Sequence, residues 1–161
     1  MDDHVMNLQE IKKLIVSQRE EMDEKFRVAK IVEREPDVNN LRQFLTNPNI
    51  LAILGIRRYG KSIFSWQIFR NEMFGYINFD DERLFGFRAK DFDLVLQAFY
   101  ELYGNIDYII LDEPQNVERW ELFANRSFNS LYGIQYKLLM LLVKMILKSG
   151  RSKDYLKRVK S

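Results

Sequence analysis

No cysteine occurs in the 161 residues, which excludes a disulfide framework, a thiolate metal site and a cysteine nucleophile. The one histidine, His4, stands near the N-terminus, and one imidazole cannot build a histidine-based metal centre. No stretch approaches the ~18 uncharged apolar residues of a membrane span. Met1-Asp2-Asp3 lacks the basic-then-apolar start of a secretory leader. These absences predict a soluble cytoplasmic protein with no membrane contact. Apolar residues nevertheless make up 47% of the chain, with 12 Phe and 8 Tyr, enough for one domain with a real core.

The net charge of +2 conceals an asymmetry. Residues 1–125 carry 16 Lys+Arg against 22 Asp+Glu, whereas residues 126–161 carry nine against one, Asp154. So sharp a change sets the last segment apart. The chain accordingly reads as an N-terminal helical region (1–48), a core (49–126) and a basic, Leu/Lys-rich tail (127–161).

Gly55-Ile56-Arg57-Arg58-Tyr59-Gly60-Lys61-Ser62 has the G-x-x-x-x-G-K-S spacing of a phosphate-binding P-loop. Gly55 and Gly60 let the backbone curl so that its N–H groups face phosphate oxygens. Lys61 brings a cation to the β- and γ-phosphates, and Ser62 offers Mg²⁺ a hard oxygen. The apolar run Asn49–Leu54 predicts a buried parallel strand before the loop, and Ser62–Arg70 predicts a helix after it. The helix adds its positive end to the anion site.

A second apolar strand, Ile106–Leu111, ends in Asp112-Glu113, and Asp112 lies fifty residues beyond Ser62. An apolar strand ending in acids downstream of a P-loop is the other half of a nucleotide site. Asp112 is expected to hold Mg²⁺, and Glu113 to act as the general base on the attacking water. A GTPase is disfavoured because the chain has no Asn-Lys-x-Asp and no Asp-x-x-Gly after this strand.

Elsewhere, residues 5–30 predict an amphipathic helix with Leu8, Ile11, Ile15, Met22 and Phe26 on one face, docking on its own domain rather than forming a coiled coil, because Gln18 and Lys25 interrupt the second apolar row. Pro36 ends that region, and Asp37 is placed to cap a short helix holding Leu41, Phe44 and Leu45. Gly75 reads as a break before a strand at Tyr76–Phe79. The acidic run Asp80-Asp81-Glu82 after it either lies near bound metal or caps the next turn. Asp91–Tyr103 predicts a helix ended by Gly104. Leu138–Val143 is apolar on every side, so periodicity cannot decide between a strand and a helix face. The basic end, Lys148 to Lys160, is open to two readings: a contact with nucleic acid or acidic lipid, or a solvated terminus.

The motifs together resemble the archaeal AAA-like ATPases. Arg57-Arg58 in the loop, Tyr76–Leu84, Tyr108–Asn116, Trp120-Glu121 and the upstream Arg34-Glu35 carry the likeness, which covers roughly residues 8–126. It implies an α/β fold, a P-loop three-layer sandwich with a mostly parallel sheet. It also implies a domain that binds ATP and Mg²⁺ and hydrolyses ATP when complete. Gly55, Arg57, Arg58, Tyr59, Gly60, Lys61 and Ser62 would bind nucleotide, Ser62 and Asp112 the metal, and Glu113 would be catalytic. The family continues into a strand ending in a Thr-Gly-Ser-type sensor, placed between the P-loop strand and the Asp-Glu strand. No such motif follows Arg126 here, and no arginine finger is identified. The chain is therefore expected to be truncated, frame-disrupted or divergent after about residue 126. Its sheet is incomplete unless Leu138–Val143 fills the gap, and hydrolysis is expected to suffer more than binding. The alternative is a non-enzymatic binding module, contacting nucleic acid or a protein through Arg57, Arg58 or the basic tail.

Overall fold

Asn7 opens the first helix, α1 (Leu8–Val28), with a reciprocal cap. Its side-chain oxygen accepts from the N–H groups of Gln9 and Glu10 at 3.0 and 3.1 Å, and the Glu10 carboxylate accepts from the Asn7 N–H at 2.8 Å. The computed structural model describes residues 6–29, 50–55, 60–128 and 137–143. The short helix expected around Leu41–Leu45 and the basic end lie outside them.

Four strands follow in the chain: β1 (Ile50–Gly55), β2 (Phe74–Asn78), β3 (Tyr108–Asp112) and β4 (Lys137–Val143). They form one sheet in the order β1-β4-β3-β2, and every neighbouring pair is parallel. The α/β expectation with a parallel sheet therefore holds. Leu138–Val143 is strand, and its neighbours settle what periodicity left open. Leu139 pairs with Leu51 on one side and Ile110 on the other, so both edges of β4 find backbone partners. An unbroken apolar run suits a central parallel strand, which is covered on both faces. β4 comes from the segment that composition set apart, yet it sits in the gap between the P-loop strand and the Asp-Glu strand.

Helices α2 (Lys61–Phe69), α3 (Phe92–Tyr103) and α4 (Trp120–Phe128) complete the described elements, with short 3₁₀ turns at Glu82–Leu84, Ala89–Asp91 and Pro114–Asn116. Side-chain alternation along the strands makes two apolar cores. Ile77, Ile109 and Leu111 join Ile11 and Ile15 of α1, Phe99 of α3 and Phe123 of α4. Phe74, Tyr76 and Ile110, on the opposite face, join Trp66 and Phe69 of α2 and Met22 of α1. Helices thus lie on both faces of the sheet.

α1 contributes to both cores because it passes the β2 edge. Gln18, which breaks the apolar stripe in sequence, is 3% exposed there. It donates to the Asn78 carbonyl at 3.0 Å and accepts from the Asn78 N–H at 2.9 Å, so it stands in for a neighbouring strand. Arg19 donates to the Phe74 carbonyl at 3.1 Å, with its guanidinium 4.1 Å from the centre of the Phe74 ring.

Gly75 is not the expected break, since it lies inside β2. A Cβ there would meet the Phe99 ring at 2.7 Å, so glycine is required for the close approach of α3 to the strand. Gly104 ends α3 as expected, at φ 73.

Candidate functional site

β1 ends at Gly55, and Arg57, Arg58 and Tyr59 of the motif fall outside the described residues. Gly55 itself pairs with Val143 at the carboxyl end of the sheet. Description resumes at Gly60, which caps α2 in the left-handed conformation, φ 77 and ψ 22, a geometry that favours glycine. Lys61 and Ser62 form the first turn of α2, where the helix dipole favours an anion.

The strand period places Asp112 on the same face as Tyr108 and Ile110, the face that α2 covers. Ser62 Oγ donates to Asp112 Oδ2 at 2.5 Å, and the Tyr76 hydroxyl donates to the same oxygen at 3.0 Å. Asp112 is 4% exposed. Burial raises its carboxyl above the usual range, and the two hydroxyl donors oppose that rise. Burial and the adjacent Asp112 charge together push the Tyr76 phenol well up, so it remains a donor.

In a continued strand Glu113 would point away from Asp112. It turns instead, at φ 54 and ψ 43, and Pro114 opens a 3₁₀ turn directly after it. The left-handed conformation costs a non-glycine residue about 1–2 kcal/mol. The turn delivers the Glu113 carboxylate to the same cleft as Asp112. There Glu113 Oε1 lies 3.7 Å from Lys61 Nζ, and Oε2 accepts from the Gln115 amide.

The cleft holds about 350 Å³ and is lined by Gly60, Lys61, Ser62, Asp112 and Glu113. The described residues picked out by motif, apart from Gly55, therefore converge on one place. Asn78, Asp80, Met22, Lys25 and Ile63 also line it, and of these the sequence points to Asp80 alone, in the acidic run after β2. Asn78 and Asp80 carry a readable signal, polar residues at the carboxyl end of an apolar strand. Met22 and Lys25 carry none, because they arrive from a distant helix.

In the acidic run the capping reading holds for Asp81. Asp80 faces the cleft, its N–H donating to Asn78 Oδ1 at 2.9 Å. Asp81 caps the next turn, accepting from the Arg83 N–H at 3.0 Å. The Arg83 guanidinium holds the Asp81 carboxyl down at about 2.

This arrangement fits an anionic ligand carrying a hard cation. Ser62 and Asp112 are oxygen donors, as Mg²⁺ requires. Among the described residues no group of three or more His, Cys, Asp or Glu forms a metal cage. Mg²⁺ commonly uses one or two protein oxygens and fills the rest from phosphates and water.

Residues 47–149 match the AAA domain family. The chain belongs to it. The match runs through Arg126 and takes in β4, beyond the point where the motif-by-motif resemblance ends. The AAA domain fold is a P-loop fold, in keeping with the left-handed Gly60 at the start of α2. The chain is also 32% identical over 110 residues to the uncharacterized protein MJ1544 of Methanocaldococcus jannaschii. That alignment covers 66% of this chain and 23% of the relative, so the AAA domain chain spans about a quarter of the longer protein's length. No solved structure matches the chain significantly. No helix among the described residues is long and apolar enough to cross a membrane.

Proposed function

We propose that this AAA domain binds ATP with Mg²⁺ in the cleft at the carboxyl ends of β2 and β3. The observation that carries the reading is the convergence of Lys61, Ser62, Asp112 and Glu113, two motifs fifty residues apart, on one cavity. Gly60 and the first turn of α2 bind the phosphates through backbone N–H groups, and Lys61 adds a cation. Gly55, Arg57, Arg58 and Tyr59 complete the loop. Ser62 and Asp112 hold the metal, which when bound neutralises charge developing on the phosphates. Tyr76 keeps the Asp112 carboxylate oriented. On this reading the binding unit takes in α1 and β4 as well as residues 49–126.

Glu113 is the group placed to orient an attacking water. It is engaged by Lys61 and Gln115, and must exchange those partners to do so. The sequence around the end of β4 also carries no Thr-Gly-Ser motif. Binding is therefore expected to be firm and turnover slow.

The test is thermal unfolding with and without Mg-ATP. A ligand held by the folded state alone raises its stability by about 2.7 kcal/mol at a hundredfold excess over Kd. Wild type should shift and Lys61→Ala should not. A chain that melts cooperatively and shows no shift would overturn the reading. Phosphate release above that of Glu113→Gln measures turnover.

A further inference from the structure

We infer that Lys25 of α1 is a second phosphate-binding cation of the cleft, supplied in cis by the helix that precedes the P-loop strand. This rests on the nucleotide reading above and deepens it.

α1 is fixed relative to the cleft by contacts to β2 and to α2. Gln18 holds both backbone groups of Asn78, itself a cleft residue. Asp23 accepts from the Trp66 indole N–H of α2 at 2.9 Å. Met22 is buried against the α2 core and lines the cleft. Lys25 follows Met22 by three residues, so the two share one face of α1. That geometry puts the Lys25 side chain at the cleft wall. Its stem has the reach and freedom of a solvated lysine, with the residue exposed.

Charge gives the residue its role. Among the described residues the cleft is lined by three carboxylates, Asp80, Asp112 and Glu113, and Lys61 already stands 3.7 Å from one of them. A triphosphate brings several further negative charges into the same space. Lys25 is the other lysine lining the cleft, and among the described residues it has no ion-pair partner. The cleft it lines also holds Gly60, Lys61, Ser62 and Asp112, the groups assigned above to phosphate and metal, so Lys25 meets the anionic end of the ligand rather than the base. The other account of Lys25 is a solvated cation that complements the negative end of the α1 dipole. The two accounts predict different binding.

The experiment is calorimetric titration of the full chain with Mg-ATP, Mg-ADP and AMP. It compares wild type, Lys25→Met, Lys25→Arg and Lys61→Ala, with the unliganded melting point of each. Lys25→Met is expected to bind Mg-ATP about tenfold more weakly, the worth of one partly exposed charge-assisted contact, and AMP as wild type does. Lys25→Arg should keep wild-type affinity, and the unliganded melting points of both Lys25 variants should match wild type. If Lys25→Met binds Mg-ATP as wild type does while Lys61→Ala loses it, the nucleotide site stands and Lys25 is only a helix-end charge. An equal loss for ATP and AMP also overturns the proposal, since the defect then lies away from the phosphates. If wild type binds no nucleotide, the parent reading fails and this one with it.

Discussion

The two faces of the sheet are built from the same strands and serve different ends. The face under α3 and α4 is a continuous apolar core. Phe92 and Phe123 stack with centroids 4.3 Å apart, and Phe79 and Phe87 close around Phe92. The face under α2 begins in the same way, with the Trp66 ring edge-on to Phe74 and Tyr76. At its carboxyl end it changes character. Of the buried polar residues described, Lys61, Ser65 and Asp112 lie on this side, and Gln18 lies at the β2 edge. One period-two strand, β3, feeds both faces. Ile109 and Leu111 go to the apolar side, Ile110 and Asp112 to the other. The pleat of a single strand thus feeds an apolar core on each face and places Asp112 at the end of one of them.

That arrangement can be broken from either side. The largest effect is expected from Phe92→Ala, which removes a fully buried ring from the apolar face. Urea unfolding should record a loss of about 3–5 kcal/mol. The folded fraction should still respond to Mg-ATP, because no cleft residue is touched. A lost ligand response in protein shown to be folded would mean that the two faces are coupled.

Asp112→Asn attacks the other face, and its two effects should have opposite signs. If Asp112 holds the metal as proposed, the Mg-ATP shift should vanish. The unliganded protein should gain about 1 kcal/mol, since a desolvated charge is removed and the amide oxygen can still accept from Ser62 and Tyr76. Differential scanning calorimetry of apo and liganded protein reads both. Unliganded protein less stable than wild type would mean that the Ser62–Asp112–Tyr76 network holds the fold as well as the site.

The smallest effect sharpens the boundary between the faces, at the β2 edge. Arg83 holds Asp81 at about 2, below its unfolded value of about 3.9. A lowered carboxylate pKa contributes stability that is fully present above the unfolded value and is lost as pH falls through the folded one. Unfolding midpoints measured between pH 5 and pH 2 should therefore decline less steeply in Asp81→Asn than in wild type. The difference should stay below about 1 kcal/mol, because Arg83 is half exposed.

Much of the site was legible because its chemistry is local in sequence. A glycine spacing that curls the backbone, followed by Lys61 and Ser62, needs no tertiary information to be read. Asp112-Glu113 at the end of an apolar strand is nearly as plain. Gln18 was legible only as a defect in an apolar stripe. Its role depends on meeting Asn78 sixty residues away, and nothing in the helix period announces that. Gly75 had the same ambiguity, since a break and a close approach both call for a residue without a Cβ.

By itself, the sequence determined a parallel α/β domain and singled out Gly60, Lys61, Ser62, Asp112 and Glu113 as the residues to look for together, because periodicity and motif spacing are properties of the local backbone. The tertiary structure alone decided that 137–143 is a strand, since an evenly apolar run takes the form its neighbours can hydrogen-bond. It also decided that Tyr76 steadies Asp112, that a left-handed turn swings Glu113 into the cleft, and that α1 brings Lys25 to its wall. Each of these depends on where separate elements dock, and that is set by burial of their apolar faces together.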